Sequence, residues 1–317
     1  MKVIYKKLPS KKSACVATIG VFDGIHRGHQ YILRKTKKLA RKAKARALLI
    51  TFDIAPQQFL LRQGLQNSWR RTKAFSGALC DFTQKVDLVK LEGIDCLWFL
   101  KTSRRLLELK PAAFLSYVFR YFKIKELIVG EDFRFGYAGR GDPFYLNQAA
   151  THFGFKLSVI PKVKLKRQVL SSSLIRQKIL TANFKEAKLF LGRDFSLKGK
   201  VVRGKGIGKS LSFPTANISS GDYLLPPRGV YAAYLILGKR KYLTAVNIGK
   251  TPTLKLSRQC TLEAHLINFN KNILGKTVEI IFLDKIRDER KFFDRSSLQF
   301  AIAKDIRRIT SKYSIPA

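Results

Sequence analysis

Apolar and polar positions along the first half of the chain switch between two periods. Short apolar runs at Ala14–Val21, Arg46–Phe52, Cys96–Phe99, Glu126–Val129 and Lys156–Ile160 have the length of buried strands. Between them, near Gln30–Lys44, Thr83–Leu91, Ala112–Phe122 and Phe144–Phe153, apolar residues recur at helical spacing. Alternation of strand and helix predicts an open parallel sheet with helices on both faces. Ligands of such sheets bind beyond the carboxyl ends of the strands.

The pattern changes after two further helical segments, Ser171–Leu180 and Phe184–Leu191. From Ser196 onward short strands follow one another at Leu197–Arg203, Gly229–Leu237, Tyr242–Ile248, Leu262–Ile267 and Thr277–Phe282, separated by Gly and Pro turn signals. That spacing predicts a small antiparallel barrel. A helix from about Arg295 closes the chain, with Leu298, Ile302, Ile306 and Ile309 as its apolar face and Asp294 or Ser296 as its N-cap. The change sets a domain boundary near residue 184, giving domains 1–184 and 185–317. No internal repeat is present.

Composition narrows the class. A chain of 317 residues with 46% hydrophobic content can bury two cores. No apolar run approaches the roughly 18 residues of a membrane helix, and the N-terminus lacks the apolar core of a secretory signal. The four cysteines form no CxxC pair and read as free thiols of a reducing compartment, so a cytoplasmic location is expected and no membrane partner. The net charge of +41 favours polyanions at low salt. It is spread along the chain with no aromatic-interleaved patch, so no specific nucleic-acid partner is expected. Oligomeric state is not legible.

The chemistry is concentrated in a few turns. Gly20-Val21-Phe22-Asp23-Gly24-Ile25-His26-Arg27-Gly28-His29 lies between an apolar run and a basic helical segment. Its glycines let the backbone approach an anion, and free amides at a helix start favour negative charge. Imidazoles three residues apart share one helical face, so His26 and His29 can reach the same phosphate. No nucleophile with an adjacent base stands beside them, nor cysteine or carboxylate pairs for zinc. In-line attack of one phosphate on another, helped by positioning and charge, is what such a site supports.

Gly130-Glu131-Asp132-Phe133-Arg134-Phe135-Gly136 returns to the same sheet edge, where Asp132 can bind a hydroxyl or ring edge and Phe133 or Phe135 can line a pocket or simply fill core. Ser171-Ser172-Ser173-Leu174-Ile175-Arg176 reads as a helix cap whose hydroxyls and arginine also suit a triphosphate. Gly204-Lys205-Gly206-Ile207-Gly208-Lys209-Ser210 fails the Walker A spacing and is instead a glycine loop able to cover phosphates with amides. Thr215 and Asn217 share a face if extended and offer oxygen donors to a magnesium–phosphate complex. Glu263 is a candidate general base and His265, on the same face, a packing residue.

Taken in order, GVFDGIHRGHQ, GEDFRFG, LSSSLIR, LGRDF, GKVVRGKGIGKSLSFPTANI, RGVYAA, NIGKTPT and LEAHLINF resemble the bifunctional prokaryotic riboflavin kinase/FAD synthetase family across nearly the whole chain. The resemblance implies a Rossmann-like α/β nucleotidyltransferase domain of the HxGH type, followed by a six-stranded antiparallel riboflavin kinase barrel. The implied activities are phosphorylation of riboflavin to FMN by ATP and adenylylation of FMN to FAD with release of pyrophosphate, with Mg²⁺ as cofactor. The small molecules riboflavin, FMN and ATP would be the partners. By position, His26 and His29 would serve adenylyl transfer. Gly20, Phe22, Asp23, Gly24, Gly28, Ser172, Ser173, Arg176, Gly204, Lys205, Gly206 and Gly208 would bind ATP phosphates. Asp132 and Phe133 would meet flavin or nucleotide, Thr215 and Asn217 the magnesium, and Glu263 would be the kinase base. One departure stands out: where the family has Thr-Phe-x-Pro-His-Pro, this chain reads Thr51-Phe52-Asp53-Ile54-Ala55-Pro56, so Ala55 replaces a phosphate donor. Two other readings remain open, a riboflavin kinase with a weakened adenylyltransferase half and a basic nucleic-acid-binding protein on a nucleotidyltransferase fold.

Overall fold

The computed structural model describes residues 1–5, 12–65, 76–204, 213–250 and 260–313. Contacts divide the chain into two units: Met1–Gly77 with Phe82–Ser172, and Ala78–Asp81 with Ser173–Ala317.

The first unit runs β1 (Lys2–Ile4), β2 (Ala14–Ile19), α1 (Arg27–Lys42), β3 (Arg46–Phe52), α2 (Pro56–Arg62), α3 (Phe82–Leu91) and β4 (Cys96–Leu100). It continues through α4 (Arg104–Leu107), α5 (Pro111–Phe119), β5 (Lys123–Gly130), α6 (Pro143–Phe153) and β6 (Lys156–Ile160), then a hairpin of β7 (Lys164–Leu165) and β8 (Gln168–Val169). The sheet order is β1-β4-β3-β2-β5-β6, parallel throughout. Alternation along each strand feeds two cores. Ile19, Ile50 and Trp98 pack with Phe114, Val118 and Leu146 on one face, while Val16, Leu49 and Leu97 pack with Leu33, Ala40 and Val89 on the other. Helices therefore cover both faces, as the strand–helix alternation predicts.

Two boundaries differ from the sequence expectation for reasons that matter at the site. Strand β2 stops at Ile19: Gly20 N–H still donates to Ile50 O at 3.1 Å, but Phe22 then turns left-handed (φ 47°) and leaves the sheet. Helix α1 starts at Arg27 rather than Gln30 because His26 is its N-cap. Edge strand β1 gives no periodic signal, being three residues long.

The second unit contains most of α7 (Ser172–Leu180), α8 (Phe184–Leu191) and a closed barrel. Its strands are β9 (Ser196–Val202), β10 (Ala216–Ser219), β11 (Gly229–Leu237), β12 (Arg240–Lys250), β13 (Cys260–Leu266) and β14 (Thr277–Arg287). They close in the order β10-β13-β12-β11-β14-β9, each pair antiparallel. Short β10 is the strand that apolar runs alone do not disclose. Phe184, placed at the expected boundary, packs within this unit, stacked on Phe282 at 5.5 Å and edge-on to Tyr231 at 5.9 Å. Ala78 joins the same unit through two backbone bonds of 2.9 Å, donating to Asp222 O and accepting from Leu224 N.

The last helix, α9 (Arg295–Tyr313), is capped by Asp294, whose Oδ1 accepts from Ser297 N at 2.7 Å. Its fully buried positions are Ala301, Asp305 and Ile309, while Leu298, Ile302 and Ile306 are only half-buried. The expected stripe therefore lies on the buried side, where Asp305 joins it. That carboxylate is paired: Arg287 Nη2 on β14 lies 2.9 Å from Asp305 Oδ2.

Candidate active sites

The phosphate turn of the first unit is built by local strain held from behind. Phe22 and Ile25 are both left-handed (φ 47° and 39°), which side chains tolerate only when surroundings fix them. The turn is pinned at Val21 O, which accepts from Thr51 Oγ1 at 2.9 Å and from Lys85 Nζ at 3.0 Å. Ser172 Oγ donates to Asp23 O at 3.0 Å and holds its far side.

Out of this turn come the two imidazoles. His26 caps α1, its Nδ1 accepting from His29 N at 3.3 Å, and the two rings stack with centroids 3.6 Å apart. Gly28 makes room for them: a Cβ there would stand 3.1 Å from His26 Cε1. The Nδ1 of His29 is buried and has no hydrogen-bond partner among the described residues. Burial, with the charges of His26 and Lys85 added, holds this imidazole well below the ordinary histidine range, so it is neutral at neutral pH.

Both histidines line a cavity of about 770 Å³ beyond the carboxyl ends of the strands. Of the residues singled out from sequence, Gly20, Phe22, Gly28, Asp132, Phe133 and Ser172 line it too. Asp23 and Gly24 are buried in the turn and support it rather than face the cavity. Ser173 and Arg176 lie in the first turns of α7 within the second unit. Phe133 stacks on Phe135 at 5.6 Å; Phe135 belongs to the core as well as the wall. Sequence reading passed over Lys85, Thr18 and Gln57. Thr18 and Gln57 line the cavity, and Thr18 Oγ1 is a second buried atom with no partner among the described residues. No spacing rule marks any of the three.

The second unit brings Glu263 and Asn217 together. They are register partners across β13 and β10, and Asn247 on β12 is the partner on Glu263's other side. All three alternate with buried neighbours such as Ala264 and Ile248, so they share the face turned away from those residues. Glu263 is half-buried, and that burial raises its carboxyl pKa. Gly204 is required beneath Asn217: a Cβ would stand 1.9 Å from the amide Nδ2. Thr215 is exposed just before β10. Glu289 Oε1 and Asn247 Nδ2 converge over Gly249, 2.8 and 3.4 Å from where a Cβ would stand. His265 packs edge-on to Phe213 and places Nδ1 2.9 Å from Pro214 O. Lys205, Gly206 and Gly208 lie outside the described residues. Among those described, no cluster of three His, Cys, Asp or Glu side chains suits a metal ion, and no helix is long and apolar enough to cross a membrane.

Comparison with known proteins identifies the family. Residues 8–174 match the FAD synthetase family and residues 191–313 match the riboflavin kinase family. The bifunctional riboflavin kinase/FMN adenylyltransferase of Escherichia coli strain K12 is 30% identical over 304 residues, covering 95% of this chain and 94% of that protein. The chain belongs to the bifunctional riboflavin kinase/FMN adenylyltransferase family. The Buchnera aphidicola (Schizaphis graminum) member is 32% identical over 312 residues, covering 97% of this chain and 96% of its own. A solved structure described as a macrolide-efflux protein from Streptococcus pneumoniae superposes with a TM-score of 0.78 at 26% identity, over 98% of this chain and 97% of that one. The α/β unit is thus the FAD synthetase half of the riboflavin kinase/FMN adenylyltransferase, and the barrel with α9 is its kinase half.

Proposed function

We propose that this chain makes FMN and then FAD: the barrel phosphorylates riboflavin with ATP, and the α/β unit joins AMP from a second ATP to FMN. The observation that carries the adenylyltransferase half is the stacked His26–His29 pair, which lines a cavity large enough for a nucleotide. An FMN phosphate oxygen attacks the α-phosphorus of ATP, and the bond to the β-phosphate breaks, releasing pyrophosphate. Catalysis here is positioning and charge. The turn's backbone and Gly20, Phe22 and Gly28 hold the phosphates, and the triphosphate's charge draws both imidazoles toward their protonated, donating forms. Ser172 contributes a further phosphate contact, while Asp132 and Phe133 meet the flavin or nucleotide.

In the barrel, Glu263 takes the proton of the ribityl hydroxyl as that oxygen attacks the γ-phosphorus and ADP departs. Its raised pKa suits a base that must accept and release a proton. Thr215 and Asn217 fit a magnesium ion held chiefly by ATP, because they are neutral oxygen donors next to one carboxylate rather than a complete protein cage. When bound, that ion neutralises phosphate charge. The glycine loop from Gly204 through Lys205, Gly206 and Gly208 covers the phosphates. The catalytic residues are divided between domains 1–184 and 185–317.

Incubation with riboflavin, ATP and Mg²⁺, followed by chromatographic separation of flavins, tests the proposal. FMN and FAD should both accumulate. FMN alone would leave a riboflavin kinase with an inactive partner half, and neither product would overturn the reading.

A further inference from the structure

Lys85 occupies an unusual position for one of the chain's 62 basic residues. It sits on α3 and is only 8% exposed, and α3 packs against the Asp23–Ile25 turn that leads into His26. Its Nζ donates to Val21 O at 3.0 Å, the carbonyl immediately before left-handed Phe22. Among the described residues no carboxylate pairs with it. The two cations on the cavity wall are paired: Arg134 lies 2.8 Å from Asp142, and Lys162 lies 3.8 Å from Glu131. An ammonium taken out of water without a counter-charge is destabilising unless something negative joins it. The phosphate turn stands between Lys85 and the cavity, so a triphosphate bound against that turn supplies the missing charge.

We infer that Lys85 is a positioning residue for adenylyl transfer, clamping the Val21 carbonyl to hold the strained turn and setting positive charge behind the phosphate face. The inference rests on the reading that the His26–His29 turn binds the ATP phosphates. Lys85 acts through two neighbours. It fixes Val21 O together with Thr51, which keeps Phe22 in the conformation that aims the turn's amides. It also bears on His29, whose protonation it opposes alongside burial and His26. The charged groups that line the same cavity are Glu131, Asp132, Arg134 and Lys162. Burial, His26 and Lys85 together thus oppose the charging of His29 until the anion arrives.

The test uses the full-length protein and the variants Lys85→Met and Lys85→Arg. FMN adenylylation is measured as pyrophosphate release over a range of ATP concentration and pH, with riboflavin phosphorylation as the control for folding. Lys85→Met should lower kcat/KM for ATP about 10- to 100-fold, the range found when groups supporting a site are removed, and leave phosphorylation unchanged. It should also move the alkaline limb of the adenylylation profile to higher pH, because the protonated imidazole is the donating form and losing the positive charge raises the pKa of His29. Lys85→Arg should restore most of the rate and return the limb. Wild-type kcat/KM in Lys85→Met, or a loss with an unmoved limb and no rescue by arginine, overturns the inference. His29→Ala is run beside them: if it adenylylates normally, the phosphate reading itself has failed, whatever Lys85→Met does.

Discussion

The rings of His26 and His29 lie stacked at 3.6 Å with an interplanar angle of 18°, and the amide of the second donates to Nδ1 of the first. His26 is therefore a helix cap as well as half of the proposed anion site, while His29 caps nothing. The two should separate on mutation. His29→Ala should reduce FMN adenylylation by about 10²- to 10³-fold, the effect of removing one transition-state donor, with riboflavin phosphorylation and thermal stability unchanged. His26→Ala should in addition cost about 1 kcal/mol of stability through the lost cap; His26→Asn should regain the stability and not the activity. Melting curves read beside pyrophosphate release check both. In the free protein, His29 should remain neutral as pH falls through about 6.5, the ordinary histidine value, because burial opposes its charge. A histidine NMR titration shows this as an inflection displaced to lower pH.

Glu263 faces Asn217 and Asn247 across the barrel strands with no cation of its own in register. Glu263→Gln should cut riboflavin phosphorylation about 10²- to 10⁴-fold, the range of a general base, and leave FAD formation from supplied FMN intact. The pH dependence follows from burial. A raised pKa means that the carboxylate, the active form, is lost sooner as pH falls, so the acid limb of phosphorylation should lie above the ordinary glutamate value of about 4.3. A loss of both activities in Glu263→Gln would refute the division of labour between the two halves.

Much of this arrangement is legible along the chain because it is local. The turn from Gly20 to His29 and the strand Leu262–Ile267 each place their functional residues within one element, so spacing alone shows which side chains share a face. Lys85 and Asn247 are not legible in that way. Lys85 reaches Val21 from a helix 64 residues later, and one lysine among many on a basic chain carries no mark. Asn247 matters through register with Glu263, which depends on how β12 and β13 pair. The apolar face of α9 is legible at Leu298, Ile302, Ile306 and Ile309, but the burial of Asp305 beside them is not, because its partner Arg287 comes from β14.

The +41 charge predicts behaviour that should not be mistaken for function. Lysines and arginines that merely coat the surface bind nucleic acid through counterion release, with affinity falling steeply as salt rises. Binding to single- and double-stranded DNA and RNA of different sequences should therefore be alike, and should vanish between about 50 and 200 mM salt. Fluorescence anisotropy across that range checks it. Binding that persists at physiological salt and prefers one sequence or structure would restore the nucleic-acid reading.

Ala55 is the N-cap of α2, at φ −57° and ψ 135°, and its side chain caps nothing. It stands between Phe52 and the pair Pro56–Gln57, all of which line the cavity. A histidine at this position, as in the resembled family, would add a donor at the start of α2, beside cavity-lining Pro56 and Gln57. A hydrogen bond to a charged group contributes about 1.5–3 kcal/mol; discounted for a half-exposed site, Ala55→His should raise kcat/KM for ATP in adenylylation by roughly tenfold. Helix capping must be separated from phosphate contact. Ala55→Ser supplies a cap worth about 1 kcal/mol but is too short to reach across the cavity, so it should raise the melting temperature without raising the rate. Equal gains from serine and histidine would mean that the ordering of α2, not a phosphate donor, limits the reaction. No gain from histidine would mean that the turn, with Lys85 behind it, already holds the triphosphate without help from the start of α2.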